Sequence, residues 1–206
     1  MNGTLYIISA PSGCGKTSLV HALLESANNL EVSISHTTRP PRPREEQDVN
    51  YHFISETQFK EMIKQNEFIE YAEVFGHLYG TAKGTIVNKL KQGLDIILEI
   101  DWQGARQIKE SFKNNVVSIF ILPPSMKTLQ ERLLSRCQDT SEVIKKRMLL
   151  AYNEILHYKE YDYLVINNDF ELALSDLKAI IQTQRLGIKQ QEILQNTLIN
   201  DLLKSH

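Results

Sequence analysis

Residues 5–17 read LYIISAPSGCGKT, and this stretch decides the fold. Leu5 to Ser9 is a short apolar run of strand character, APSGCGKT from Ala10 to Thr17 has the spacing of a phosphate-binding loop, and an amphipathic stretch from Thr17 to Glu25 follows. Strand, glycine-rich loop and helix is the context in which that spacing has a physical meaning. Gly13 and Gly15 let the backbone turn successive N–H groups toward one point, and the helix beginning near Lys16 adds its positive dipole end. The phosphates of a nucleoside triphosphate are the natural occupant. Ala10, Pro11, Ser12, Gly13, Cys14, Gly15, Lys16 and Thr17 are therefore the candidate triphosphate site. Within it Lys16 reaches the β- and γ-phosphates as a point charge, and the Thr17 hydroxyl binds the magnesium ion that rides on them. Ala10 stands where the pattern has glycine, which a residue of negative φ tolerates. Cys14 reads as a small loop residue rather than a nucleophile.

Outward from the loop, apolar runs alternate with amphipathic stretches: Ile96–Ile100 then Gln103–Ser111, Val116–Leu122 then Met126–Ser135, Tyr163–Ile166 then Glu171–Arg185. This is the rhythm of a parallel sheet covered by helices on both faces. Asp101 ends the run DIILEID, where a triphosphate site places an acid that organises magnesium, here through water. Asp is also a favoured helix N-cap, so both roles stand. Glu99, two residues earlier, shares its face.

Two stretches break the rhythm. HTTRPPRPREEQD cannot be helix and reads as an extended surface segment. It opens an inserted region that continues through a strand near Tyr51–Ile54, a helix near Thr57–Gln65 and strand pieces to Tyr79. Its Arg39, Arg42 and Arg44, with the hydroxyls of Ser35, Thr37, Thr38, Tyr51 and Tyr79, suit a second phosphorylated ligand. His36 and His77 read as surface or packing residues. The second stretch, SRCQDTSEVIKKR, reads as a mobile segment, with Thr140 or Ser141 as the N-cap of a helix running toward His157. In the tail, Leu194, Leu198 and Leu202 lie on one face of a short helix, a packing or self-association element and so a route to a homo-oligomer.

The 206 residues suffice for one sizeable core, and the formal net charge of −2 provides no global basic field for nucleic acid. The two cysteines, Cys14 and Cys137, have no zinc-site spacing. No apolar run approaches the roughly 20 residues that span a bilayer, and the N-terminus carries no secretory pattern, so a reduced, cytoplasmic protein without membrane or nucleic-acid partners is expected.

Taken in order and spacing, SAPSGCGKT, SISHTTRPPRPRE, DVNYHFIS, FIEYAEVFGHLYGT, ILEIDWQGARQI, RLLSRCQDTSEVIKKRM and YDYLVINND resemble the guanylate kinases across Thr4 to Leu186. The resemblance implies an α/β P-loop kinase, with a central parallel sheet flanked by helices, a GMP-binding subdomain inserted after the second strand, and a mobile lid. The expected division is 1–34, 84–123 and 158–187 for the core, 35–83 for the GMP-binding subdomain, 124–157 for the lid and adjoining helices, and 188–206 for the tail. The implied reaction moves the γ-phosphoryl group of ATP to GMP, and to dGMP, in purine nucleotide metabolism, with Mg2+ as cofactor and these nucleotides as the small-molecule partners.

Carried over by position, the resemblance puts the GMP phosphate on Arg39, Arg42, Tyr51 and Tyr79, and guanine on Glu70 with Ser35 and Thr81. Asp101 also joins the GMP site. The residues alone leave Glu67, Glu70 and Glu73 open. A carboxylate accepts from both N1–H and the 2-amino group of guanine, whereas adenine offers neither donor. Arg132 and Arg136, four apart and on one helical face, join Arg147 as a clamp on the transferring group that also excludes water. Asn168 matches the position bordering adenine. Related kinases of ribose 1,5-bisphosphate share the overall plan, and Glu70 argues against them; non-catalytic scaffold modules have degraded phosphate loops, and Lys16 with Thr17 argue against those.

Overall fold

Leu5–Ser9 forms strand β1, buried along its whole length, in the computed structural model of the chain, which describes residues 3–43, 45–74, 76–112, 115–135 and 141–204. Its alternation serves two cores at once. Tyr6 and Ile8 enter a cluster on one face of the sheet, Leu5 and Ile7 a second cluster on the other, as period-two geometry demands of a strand covered on both sides.

The phosphate loop leads into α1 (Lys16–Ser26), and β2 (Leu30–Val32) follows. The next elements build a separate sheet: β3 (His36–Thr37), β4 (His52–Phe53), α2 (Glu56–Lys64), β5 (Phe68–Val74) and β6 (His77–Ala82). Ser55 starts α2 through a capping box with Gln58, which satisfies N–H groups that a helix start leaves without partners. The chain returns through α3 (Lys83–Lys91) to β7 (Asp95–Leu98), α4 (Trp102–Ser111), β8 (Val116–Leu122) and α5 (Met126–Ser135). It ends with α6 (Ser141–Ile155), β9 (Tyr163–Ile166), α7 (Phe170–Leu186), α8 (Ile188–Leu194) and α9 (Asn196–Lys204).

The main sheet has the order β2-β7-β1-β8-β9, and every pairing is parallel. β1 is its centre, with the chain wound outward to β7 and β2 on one side and to β8 and β9 on the other. That reversal opens a crevice at the carboxyl end of β1, where ligands of such sheets bind. The second sheet, β4-β3-β6-β5, combines antiparallel and parallel pairings.

The expected strand–helix alternation is present throughout, with boundaries shifted by a residue or two. α3 has no counterpart among the expected elements. It carries Gly84 and little apolar periodicity, and forms because Ile86 and Leu90 bury against β7's face of the sheet. The tail also differs. It holds two helices, so Leu194 ends α8 while Leu198 and Leu202 belong to α9, all three exposed. Among the described residues no helix is long and apolar enough to cross a membrane.

Candidate active site

The loop at the end of β1 is shaped by two left-handed residues, Gly13 at φ 94° and Gly15 at φ 89°. A side chain at Gly15 would be strained by that φ and would also meet the Asn167 amide nitrogen at 2.6 Å. Asn167, buried just beyond β9, donates from Nδ2 to the Cys14 carbonyl at 2.6 Å. Arg132 on α5 donates to the same carbonyl at 3.4 Å and to the Asn167 carbonyl at 3.1 Å. The loop is thereby held from behind; the Cys14 N–H is taken by the Pro11 carbonyl at 3.1 Å, which leaves the N–H groups around Gly13, Gly15 and Lys16 for an anion in front. Burial pushes the Cys14 thiol up to about 12, so it is a neutral packing group against Leu129 and Leu133.

In front of the loop is a cleft lined by residues 10–18, by Ser35, Arg42, Tyr51, Glu70 and Tyr79 from the second sheet, by Glu99 and Asp101 after β7, and by Glu154 from α6. Lys16 Nζ lies 3.9 Å from Glu99 Oε2, and the Thr17 hydroxyl lies 3.5 Å from the same oxygen. Asp101 caps α4, accepting from the N–H groups of Gln103 at 3.1 Å and Gly104 at 3.0 Å, and still faces the cleft.

Glu70 is buried at 3% exposure. Its position follows from a β-bulge: the register of β5 on β6 slips between Phe68 and Glu70, which sets Glu70 opposite Thr81. Thr81 donates its hydroxyl to Glu70 Oε1 and lies 3.3 Å from the Ser35 hydroxyl. Glu67 and Glu73 are exposed. Burial pushes the Glu70 carboxyl up to about 7, against the Thr81 hydrogen bond and with the Asp101 charge. A side chain on Gly104 would place its Cβ 2.4 Å from Glu70 Oε2, so the start of α4 is the floor of this carboxyl's seat.

Arg39 is not part of the cleft lining. Its guanidinium is gripped by Glu45 at 2.9 Å to both oxygens, donates from Nε to the Tyr79 hydroxyl at 3.2 Å, and sits 5.5 Å over the Tyr51 ring. Glu45 Oε2 also accepts from the Arg42 N–H at 2.7 Å, so one carboxylate organises both arginines. Arg147 is half-buried on α6. Asn168 is exposed and outside the lining; its neighbour Asn167 is the one that reaches the loop. Arg44, Arg136, Cys137 and Thr140 lie outside the described residues.

Sequence reasoning did not single out Asn167, Glu45, Gly104 or Glu154, and it weighed Glu99 only as a neighbour of Asp101. Nothing local marks the first four. Glu99 alone carried a signal, its two-residue offset from Asp101.

A family model described as guanylate kinase matches residues 2–184. A guanylate kinase of Nitrosococcus oceani is 53% identical over 204 residues, 99% of this chain and 100% of the relative. That of Legionella pneumophila is 50% identical over 204 residues, 99% of this chain and 97% of the relative. Among solved structures, the guanylate kinase of Anaplasma phagocytophilum superposes with a TM-score of 0.77 at 31% identity, covering 92% of this chain and 94% of its own.

Proposed function

The chain belongs to the guanylate kinase family, and from that membership and the cleft we propose that it transfers the γ-phosphoryl group of ATP to GMP, giving ADP and GDP. The observation that carries the reading is a buried Glu70, one carboxylate seated across the same cleft from an intact phosphate loop. One end of the crevice suits a triphosphate and the other a base that offers two donors. The donor's phosphates rest on the N–H groups around Gly13, Gly15 and Lys16 and on the Lys16 ammonium. The acceptor's phosphate meets Arg42 and the hydroxyls of Tyr51 and Tyr79, with Arg39 held beside them by Glu45. Guanine meets Glu70, whose carboxylate is fixed by Thr81, itself backed by the Ser35 hydroxyl. Neither Arg132 nor Arg147 lines the cleft as it stands; Arg132 holds the carbonyls of Cys14 and Asn167, and both arginines are proposed to reach the transferring group when residues 124–157 close as the lid, with 35–83 as the GMP-binding subdomain. In-line transfer needs positioning and charge stabilisation, and no covalent nucleophile.

Magnesium fits the donor set. Thr17 and Glu99 bring hard oxygen atoms within 3.5 Å of each other beside Lys16, while the described residues contain no cluster of three or more acidic, histidine or cysteine ligands. That suits an ion held by one or two protein oxygens together with phosphates and water. Thr17 would hold it directly and Asp101 through water; when bound, it neutralises charge on the β- and γ-phosphates. dGMP is proposed as a second acceptor, as the resemblance implies. ATP and GMP are cytoplasmic metabolites, and that is the compartment proposed.

The test is release of ADP with GMP, AMP, UMP and CMP as acceptors. Turnover with GMP is expected to exceed that with AMP by about 10⁴-fold, since AMP leaves a buried carboxylate unpaired, and EDTA is expected to abolish it. Faster turnover with AMP than with GMP would reject the reading. A second prediction follows from the floor of the base site. Gly104→Ala drives a Cβ into Glu70 Oε2, so kcat/KM for GMP should fall by about 10- to 100-fold through displacement of that oxygen, while kcat at saturation changes less. Unaltered GMP kinetics would remove Gly104 from the site.

A further inference from the structure

Glu154 is the one acid lining the cleft that the proposed chemistry leaves without a task. It lies near the end of α6 and shares the cleft wall with Ser12 and Lys16, whose N–H and ammonium both favour its charge. Its Oε2 is buried with no hydrogen-bond partner. Burial pushes the group up to about 7, against Lys16 and with Asp101. A packing role would be filled at lower cost by an apolar side chain, as it is one turn earlier: Ala151 is 1% exposed and packs with Cys14, Leu129 and Leu133. A buried carboxyl that keeps an unbonded oxygen inside a ligand cleft marks function rather than stability.

Helical spacing says what that function is. Ile144, Arg147, Ala151 and Glu154 recur at intervals of three and four, so they share the face of α6 turned toward the loop. Ile144 and Ala151 are buried, Ala151 packs with Cys14 of the phosphate loop, and Glu154 is the point at which this face meets the cleft beside Ser12 and Lys16. Rotation or sliding of α6 about that point moves Arg147, two turns away.

We propose that Glu154 is a positioning residue: its carboxyl, set beside Ser12 and Lys16 in the cleft wall, fixes the register of α6 on the phosphate loop and so aims Arg147 at the transferring phosphoryl group. The inference rests on Arg147 acting in transfer, and the experiment separates the two claims. Steady-state kinetics are measured for full-length Arg147→Ala, Glu154→Ala, the double variant and Glu154→Gln. Arg147→Ala should lower kcat by about 10²- to 10³-fold, as loss of one transition-state donor does. Glu154→Ala should lower kcat by about 10- to 100-fold, the cost of a small misplacement, with KM for GMP unchanged because the base site lies on the other sheet. The double variant should be no slower than Arg147→Ala, since Glu154 has nothing left to aim. Glu154→Gln keeps an acceptor for the Ser12 N–H and should recover kcat to within about fivefold of the parent.

If the double variant instead loses the product of the two single effects, Glu154 does not act through Arg147 and the proposal falls while Arg147 keeps its role. If Arg147→Ala is as fast as the parent, Arg147 has no part in transfer and both claims fall. A Glu154→Ala enzyme that loses GMP affinity and thermal midpoint at an unchanged kcat would assign the residue to structure alone.

Discussion

Lys16→Ala is expected to lower kcat by about 10³-fold while GMP affinity stays within about twofold of the parent. The reason is the charge balance of the cleft. Its lining carries two cations, Lys16 and Arg42, against four carboxyls, Glu70, Glu99, Asp101 and Glu154. Arg42 stands on the second sheet's side, so Lys16 is the formal positive charge on the loop itself, where phosphate charge is redistributed during transfer. Removing it leaves the N–H groups of the loop to hold the triphosphate against Glu99, which Lys16 now faces at 3.9 Å. GMP is held by other elements, β5, β6 and the segment around Arg42, and should bind as before. Calorimetric titration with GMP, beside single-turnover transfer from ATP, separates the two effects. A variant that retained a tenth or more of the parent's kcat would mean that the backbone and Mg2+ alone carry the transferring charge.

The phosphate loop was legible from residues 5–17 because its chemistry is local: strand, glycines, lysine and hydroxyl are consecutive, and the backbone needs no distant partner to adopt the turn. The parallel sheet was legible for a related reason, since strands buried on both faces are apolar at most positions, as β1, β7 and β8 are with only Ser9, Asp95 and Ser118 as exceptions. The acceptor side is different. Glu67, Glu70 and Glu73 are equivalent in composition, and which one is buried depends on a bulge in the pairing of β5 with β6. Residue type likewise gave Arg39 and Arg42 the same status, yet Glu45 draws Arg39 back from the cleft lining and leaves Arg42 on it. Asn167 and Asn168 differ by one position, and the end of β9 turns one toward the loop and the other to solvent. Glu154 was out of reach for the same reason: its meaning comes from a loop more than a hundred residues earlier in the chain. Local chemistry could be read directly, whereas roles fixed by tertiary register could be assigned only by position within the family, and the family pattern did not include the supporting residues.

Glu70→Gln tests the acceptor site from two sides, and the two effects should run in opposite directions. For function, a carboxamide turns one acceptor into a donor, so guanine loses a partner and gains a clash of like dipoles. Two hydrogen bonds to a charged group contribute about 3–6 kcal/mol, so kcat/KM for GMP should fall by about 10²- to 10⁴-fold. For stability the sign is the reverse. The folded-state value of about 7 lies above the ordinary 4.5, so the folded chain holds this proton more tightly than the unfolded one. The resulting stabilisation is fully present below about pH 4.5 and is lost as pH rises through 7. Glutamine has no proton to lose. The variant should therefore melt higher than the parent at pH 8, and the gap should close toward pH 5; Glu154, also near 7, leaves a residual slope in both proteins. Substrate binding follows the same titration: GMP pairs with the ionised carboxylate, so the parent's KM for GMP should rise as pH falls below 7, and that rise should be absent in the variant. Melting curves and GMP kinetics from pH 5 to 8 read both quantities on one pair of proteins. Unchanged guanine preference in Glu70→Gln would remove the residue from base recognition. Lost preference with no gain in midpoint at pH 8 would mean that Thr81 and the N-terminus of α4 already offset the burial of its charge, and the pH dependence of KM should then vanish from the parent as well.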